Sequence, residues 1–291
     1  MSRTWYRVAL AREGHEPVVV AASGEHMGVA VETARATLAG SWAVAADVAA
    51  ATDIVPLGES VGKGAVVQLG PAPAETPRFR FPAGVLPRLG ATAALARLGR
   101  GFARRADPEL LVLEAQTDAA NLVDLFLGMI ERVPAADNLE IRVLAHFDGD
   151  GSAGPGSAAG GRRGSIVGDD TTDVWLTSRV DAKKVLRFLD EHDRDLIENG
   201  HVEINVYARA QKATLRLTEH KTVVWLAEAN ALAAEVAGWF GELGIPRADE
   251  LVTVASVPHF HYRPAKSLDR TKLADALFRD RLRRVARLKT A

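Results

Sequence analysis

A mixed α+β fold is what the sequence predicts, on three observations. Two successive strand, helix, strand units occupy residues 110–147 and 174–208, a hairpin followed by a helix opens the chain, and a second hairpin with further helices follows the paired units. Each observation rests on apolar spacing, which alternates in a half-buried strand and recurs every three to four residues on a helix.

The opening hairpin pairs Tyr6 to Leu10 with Val18 to Ala22 across Arg12-Glu13-Gly14-His15, whose glycine and polar residues suit a turn. Met27, Ala30, Val31, Ala34 and Leu38 then stand at helical spacing. Trp42 to Pro56 reads as a strand or a helix and Ala65 to Leu69 as a short strand, after which Pro71, Pro73, Pro77, Pro82 and Pro87 break regular structure. A boundary near residue 85 therefore separates a small ββα module, 1–85, from the remainder, 91–291.

Leu95, Leu98 and Phe102 predict a helix over 91–105 whose other faces carry Arg97, Arg100, Arg104 and Arg105. The two units come next: Leu110 to Ala115, Thr117 to Val133 and Leu139 to Phe147, then Val174 to Thr177, Val180 to Ile197 and Val202 to Ala208. At a constant offset of 63, Leu113 matches Leu176, Asp118 matches Asp181, and Glu140-Ile141 match Glu203-Ile204. Two such repeated βαβ units predict a ferredoxin-like sandwich, extended by a hairpin and helices. The glycine-rich stretch 149–168 cannot pack a core and reads as a flexible linker. Strands at 212–217 and 222–226 form the second hairpin across Thr218-Glu219-His220-Lys221. A helix over 230–243 ends at Gly244, and Leu251 to Ala255 reads as a strand. An amphipathic basic helix, 267–289, closes the chain, with Ala274, Leu277, Phe278, Leu282 and Val285 as its packing stripe.

Composition narrows the function classes. The 291 residues are 47% hydrophobic and 25% charged, which suits a packed globular chain rather than a disordered one. Cysteine is absent, so disulfides, thiolate zinc sites, iron–sulfur clusters and a cysteine nucleophile are excluded together. The first residues lack the apolar run of a secretory signal, and Glu32, Arg35 and Asp47 interrupt the alanine-rich stretch far short of a membrane span. A cytoplasmic location with no membrane partner is the expectation. With a formal net charge of −1, attraction to a polyanion must come from a local patch.

Candidate chemistry is sparse. Asp118 and Asp181 each precede a helix, where a carboxylate accepts free backbone amides, so both read as caps. Glu140, Arg142, Glu203, Asn205 and Tyr207 alternate away from the helices onto the other sheet face, a composition unlike the aromatic, basic face of an RNA-reading sheet. His259 and His261 lie on one side of an extended segment, the geometry of two ligands to one ion, and Glu219 and His220 could add more. Without further ligands at recognised spacing the pair reads as packing, and neither metal nor cofactor is expected. His192 reads as half-buried on a solvated helix. Gly58-Glu59-Ser60-Val61-Gly62-Lys63-Gly64 fails as a phosphate loop, being one residue short between its glycines and lacking Ser or Thr after the lysine.

Charge is the strongest local feature. Residues 266–289 hold nine Lys and Arg against three Asp. Arg279, Arg283, Arg284 and Arg287, with Arg97, Arg100 and Arg104, form the candidate surface for a polyanion or an acidic partner. No nucleophile with an adjacent base stands out, so the sequence leaves open whether the chain is an enzyme. A non-enzymatic scaffold with a protein partner, compatible with a homo-oligomer, is the first expectation. A nucleic-acid-binding or processing protein is the alternative, and a metal-dependent enzyme built on His259 and His261 is the third.

Overall fold

The computed structural model of the chain describes residues 4–49, 66–91, 95, 98–133, 135–145, 152–153, 171–228 and 232–289. It is a mixed α/β fold with several β-sheets and helices. Among the described residues no helix is long and apolar enough to cross a membrane. The rejected phosphate loop at 58–64, Arg97 and all but two residues of the stretch 149–168 lie outside them.

The chain opens on β1 (Thr4–Arg12), β2 (His15–Gly24), α1 (Met27–Ala36), β3 (Trp42–Val48) and β4 (Val66–Pro71). The strands form one antiparallel sheet in the order β3-β1-β2-β4. Alternation decides its two faces: Tyr6, Val8 and Leu10 turn toward Met27, Ala30 and Val31 of α1, while Ala9, Ala11 and Val19 pack on the opposite side. The core under α1 is completed by Val85, Leu86, Val254, Val257, Phe260 and Tyr262. Residues from far along the chain thus finish the first sheet's core.

The large sheet is built from β6 (Gly101–Arg105), β7 (Leu110–Gln116), β8 (Asn138–Val143), β10 (Thr171–Leu176), β11 (Val202–Ala208), β12 (Ala213–Leu217), β13 (Val223–Glu228) and β15 (Arg283–Lys289). Its order is β15-β10-β8-β11-β12-β13-β7-β6, with every neighbouring pair antiparallel. Helices α2 (Leu122–Arg132), α3 (Ala182–Glu191), α4 (Asp193–Leu196), α5 (Ala233–Glu242) and α6 (Arg270–Arg279) accompany it. One core gathers Leu113, Ile141, Ile204, Leu215 and Trp225 of the strands with Phe126, Leu189, Phe240 and Leu277 of the helices. A third, small sheet sets β14 (His259–His261) between β5 (Val85–Pro87) and β9 (Ser152–Ala153).

This order is not that of a ferredoxin-like sandwich, in which the first strands of the two units lie side by side. Here β8 pairs with both β10 and β11, and the β12–β13 hairpin lies between β11 and β7. The hairpin has its own apolar face, Leu215, Leu217, Val223 and Trp225, all fully buried, and it hydrogen-bonds on both flanks. The offset of 63 also misplaces one pair: Leu113 faces the helices, whereas Leu176 stands opposite Glu140 on the other face and Trp175 takes the inward position.

Three further expectations are corrected. The helix expected over 91–105 gives way to β6, because Gly99 and Gly101 are poor in a helix interior and Phe102 exchanges backbone bonds with Pro246 and Ala248 at 2.9 and 2.8 Å. The basic helix expected over 267–289 stops at Arg279. Asp269 caps its start by accepting from the Lys272 amide, Arg281 is left-handed at φ 66°, and the chain then turns back as β15. The strand after that break pairs its backbone with β10 and leaves Val285 57% exposed. Residues 251–255 are not a strand; a short 3₁₀ turn, Val254–Ser256, lies there.

The turn into β15 also serves a buried charge. Asp173 is 3% exposed and accepts from Arg287 at 2.7 Å and Arg270 at 3.1 Å, with Arg284 at 3.6 Å. Burial pushes its carboxyl up, but the Arg287 and Arg270 contacts outweigh that and hold it below the usual carboxylate range. Its contribution to stability is therefore present above about pH 4, the unfolded carboxylate range, and is lost as pH falls through the lower folded value. Asp173→Asn is expected to cost about 2–4 kcal/mol at neutral pH, read by urea unfolding, and little near the acid limit.

Candidate metal centre

The site begins with the turn between β12 and β13. Thr218 and Thr222 close it through the Thr218 amide to the Thr222 carbonyl at 3.0 Å, and the Lys221 amide donates to the Thr218 carbonyl at 3.0 Å. Glu219 and His220 form the tip, and Lys221 follows in the left-handed region at φ 62°. That is the three-residue hairpin turn whose last position normally falls to glycine. Lysine is held there by its side chain: Nζ donates to the carbonyls of Asn199 at 2.6 Å and Val202 at 3.2 Å. Burial draws this ammonium down to about 7 against the opposing pull of Glu219, Glu198 and Glu203.

The turn tip meets β14. Because a strand points alternate side chains to one side, His259 and His261 face the same way, and both are 2% exposed. The sequence reading that paired them and named Glu219 and His220 as further donors finds His220 beside them. The three ring centroids lie 4.8, 4.8 and 5.1 Å apart. One ring nitrogen from each of the three lies within 4.8 Å of the other two.

The outer ring nitrogens are held. His259 Nδ1 is 2.7 Å from the Val257 carbonyl oxygen, His261 Nδ1 is 2.9 Å from that of Gly200, and His220 Nδ1 is 3.5 Å from Glu219 Oε1. A carbonyl oxygen only accepts, so both β14 imidazoles carry their proton on Nδ1. Their Nε2 atoms then present lone pairs to each other, at 3.0 Å. Two lone pairs at that distance repel unless a cation lies between them. Burial lowers the proton affinity of His259 and of His220, against the raising influence of the Val257 carbonyl on the first and of Glu219 on both. Three neutral imidazoles gathered in this way could hold a metal ion between them.

The 3.0 Å between the β14 Nε2 atoms suits a shared ion, and the three ring nitrogens together lie within 4.8 Å of one another. Tetrahedral bonds of about 2.0–2.1 Å separate two ligand nitrogens by roughly 3.3 Å. A histidine ligand characteristically donates its other ring nitrogen to a carbonyl or carboxylate, which fixes the tautomer. Glu219 Oε2 is buried with no hydrogen-bond partner among the described residues, while its Oε1 lies beside His220.

Backbone packing places the Gly200 carbonyl. The Gly200 amide donates to the Tyr262 carbonyl at 3.0 Å, and the Tyr262 amide donates to the Gly84 carbonyl at 2.8 Å. A Cβ on Gly200 would overlap the Gly84 carbonyl oxygen, so this crossing demands glycine. Neither Gly200 nor Gly84 stood out in the sequence, although a glycine directly before a histidine and a buried strand is the signal that close backbone approach leaves.

The other predicted groups serve different ends. Asp181 caps α3, accepting from the Lys184 amide at 2.9 Å. Asp118 sits before α2 and accepts from the Ala120 amide at 3.0 Å and Asn121 Nδ2 at 2.6 Å. His192 Nε2 is 3.2 Å from Asp280 Oδ2. Glu140 and Glu203 belong to a network on the sheet face away from the helices, with Arg142 at 2.7 Å from Glu140 and Arg216 at 2.6 Å from Glu203. Arg100 and Arg104 stand on or beside β6, while Arg283, Arg284 and Arg287 stand on β15, at opposite edges of the large sheet. Seven strand spacings, roughly 33 Å along the sheet, separate the two groups, so they do not line one groove.

No known relative decides the matter. No family model matches the chain, and neither a curated protein nor a solved structure matches it at a significant level.

Proposed function

We propose that this chain is a metalloprotein that binds one divalent transition ion of the zinc class through His220, His259 and His261, and that the ion activates water. The observation that carries the reading is the pair of Nε2 atoms facing each other at 3.0 Å while both Nδ1 atoms are engaged by carbonyls. Three imidazoles without cysteine suit zinc, and three protein ligands leave a fourth position for water or substrate. His220 and Glu219 keep 24% side-chain exposure, so solvent would reach the site on their side. A zinc-class ion held there would bring the pKa of its water to about 7, and Glu219, whose Oε1 lies 3.5 Å from His220 Nδ1, is the carboxylate that would accept the proton. The chemistry supported is hydrolysis or hydration at a polarised carbonyl or phosphoryl group.

Elemental analysis of the purified full chain after incubation with zinc and gel filtration tests the reading. About one bound ion per chain is expected, with cobalt substitution giving the intense visible absorption of a four-coordinate site. His259→Ala and His220→Ala should remove it. A wild-type chain that retains no metal, or a His259→Ala chain that retains it fully, would sink the proposal. Glu219→Gln should keep the metal and lose hydrolysis of an activated ester; unchanged hydrolysis would remove the proton-accepting role.

A further inference from the structure

We propose that β15 is a docking edge to which an extended acidic and aliphatic segment of a protein partner adds as a further strand. β15 ends the large sheet, bonded to β10 on one side and to no strand on the other among the described residues. Such an edge presents a row of backbone donors and acceptors that another chain can complete. Nearly all of β15 is exposed.

Two independent features accompany the open edge. Phe278, Val285 and Leu288 are 60, 57 and 50% exposed, and all three lie on β15 or on the last turn of α6 before it. Three large apolar side chains left in water within one short stretch are a candidate contact surface. The same stretch carries Arg279, Arg281, Arg283 and Lys289, with the Arg283 guanidinium 5.1 Å over the Phe278 ring. The strip thus offers apolar contact, positive charge and a backbone ladder together, and an extended segment alternating acidic and aliphatic residues complements all three.

The other occupants fit less well. In antiparallel self-pairing centred on Ala286, Arg283 of one copy would stand opposite Lys289 of the other, like charge against like. A nucleic-acid backbone would use the cations alone and leave the apolar side chains in water, and Arg284 and Arg287 are already committed to Asp173. The proposal is independent of the metal centre.

The test uses the full chain and a fluorescein-labelled peptide of alternating glutamate and valine, read by anisotropy. Saturable binding that weakens with salt is expected, and a Val285→Glu, Leu288→Glu variant should lose at least about tenfold in affinity. Both positions are exposed, so thermal unfolding should stay unchanged and exclude misfolding. No saturable binding, or equal binding by the double variant, overturns the proposal. So does an oligothymidylate that binds with the same variant sensitivity while the peptide does not, which would assign the edge to nucleic acid.

Discussion

Gly200→Ala is expected to be the most damaging single substitution in the chain, destabilising it by more than about 4 kcal/mol. The added methyl group would overlap the carbonyl of Gly84, and backbone on both sides leaves nothing flexible to yield. Separating the two segments breaks the Gly200 to Tyr262 and Tyr262 to Gly84 bonds and withdraws the carbonyl that orients His261. Two readouts should therefore fall together: the denaturant midpoint, and zinc affinity in whatever fraction remains folded. Loss of stability with undiminished zinc affinity in the folded fraction would show that the Gly200 carbonyl does not orient the ligand.

Stripping the metal is expected to lower the thermal midpoint of the wild-type chain by about 5–10 °C. The estimate follows from linkage: an ion at a thousandfold excess over its dissociation constant adds about 4 kcal/mol to the folded state, and a chain of this size moves a few degrees per kcal/mol. The ligands come from a turn of the large sheet and a strand of the small one, so the ion would tie together two regions with separate cores. A His220→Ala chain should start near the stripped midpoint and fail to respond to zinc. Equal midpoints for stripped and zinc-loaded wild type would mean that the imidazoles bind no ion in the folded state.

Much of the local structure was legible in the sequence, because each strand and helix announces itself through spacing. The opening hairpin, the paired strand-helix-strand stretches and the β12–β13 hairpin all stand where alternation placed them. The arrangement of strands was not legible. Nothing in the order of the units states that a later hairpin will insert between β11 and β7. The last segment misled for a different reason. Leu282 and Val285 fit a helical stripe, and the break ahead of them is a left-handed Arg281 with no glycine to signal it. The candidate site was half legible: alternation places His259 and His261 on one side of a strand, but their third neighbour sits on a turn of another sheet, and no spacing rule links the two. Lys221 was equally hidden, since a lysine in a turn ordinarily points to solvent, whereas this one is fully buried against two carbonyls.

The small sheet carries a consequence for biosynthesis. β14 pairs with β5, which was synthesised long before it, and with β9 from the middle of the chain. A ribosome releasing this protein exposes Val85, Leu86 and the alanine-rich first sheet well before Phe260 and Tyr262 arrive to cover them. Early domains often fold while the rest is still being made; here the first sheet must wait with an unfinished interior until residues 254–262 have emerged. The closing step, arrival of the His259 to His261 strand, seals that interior and brings two imidazoles to His220 at the same moment, so an ion held by these three would be taken up only as folding ends.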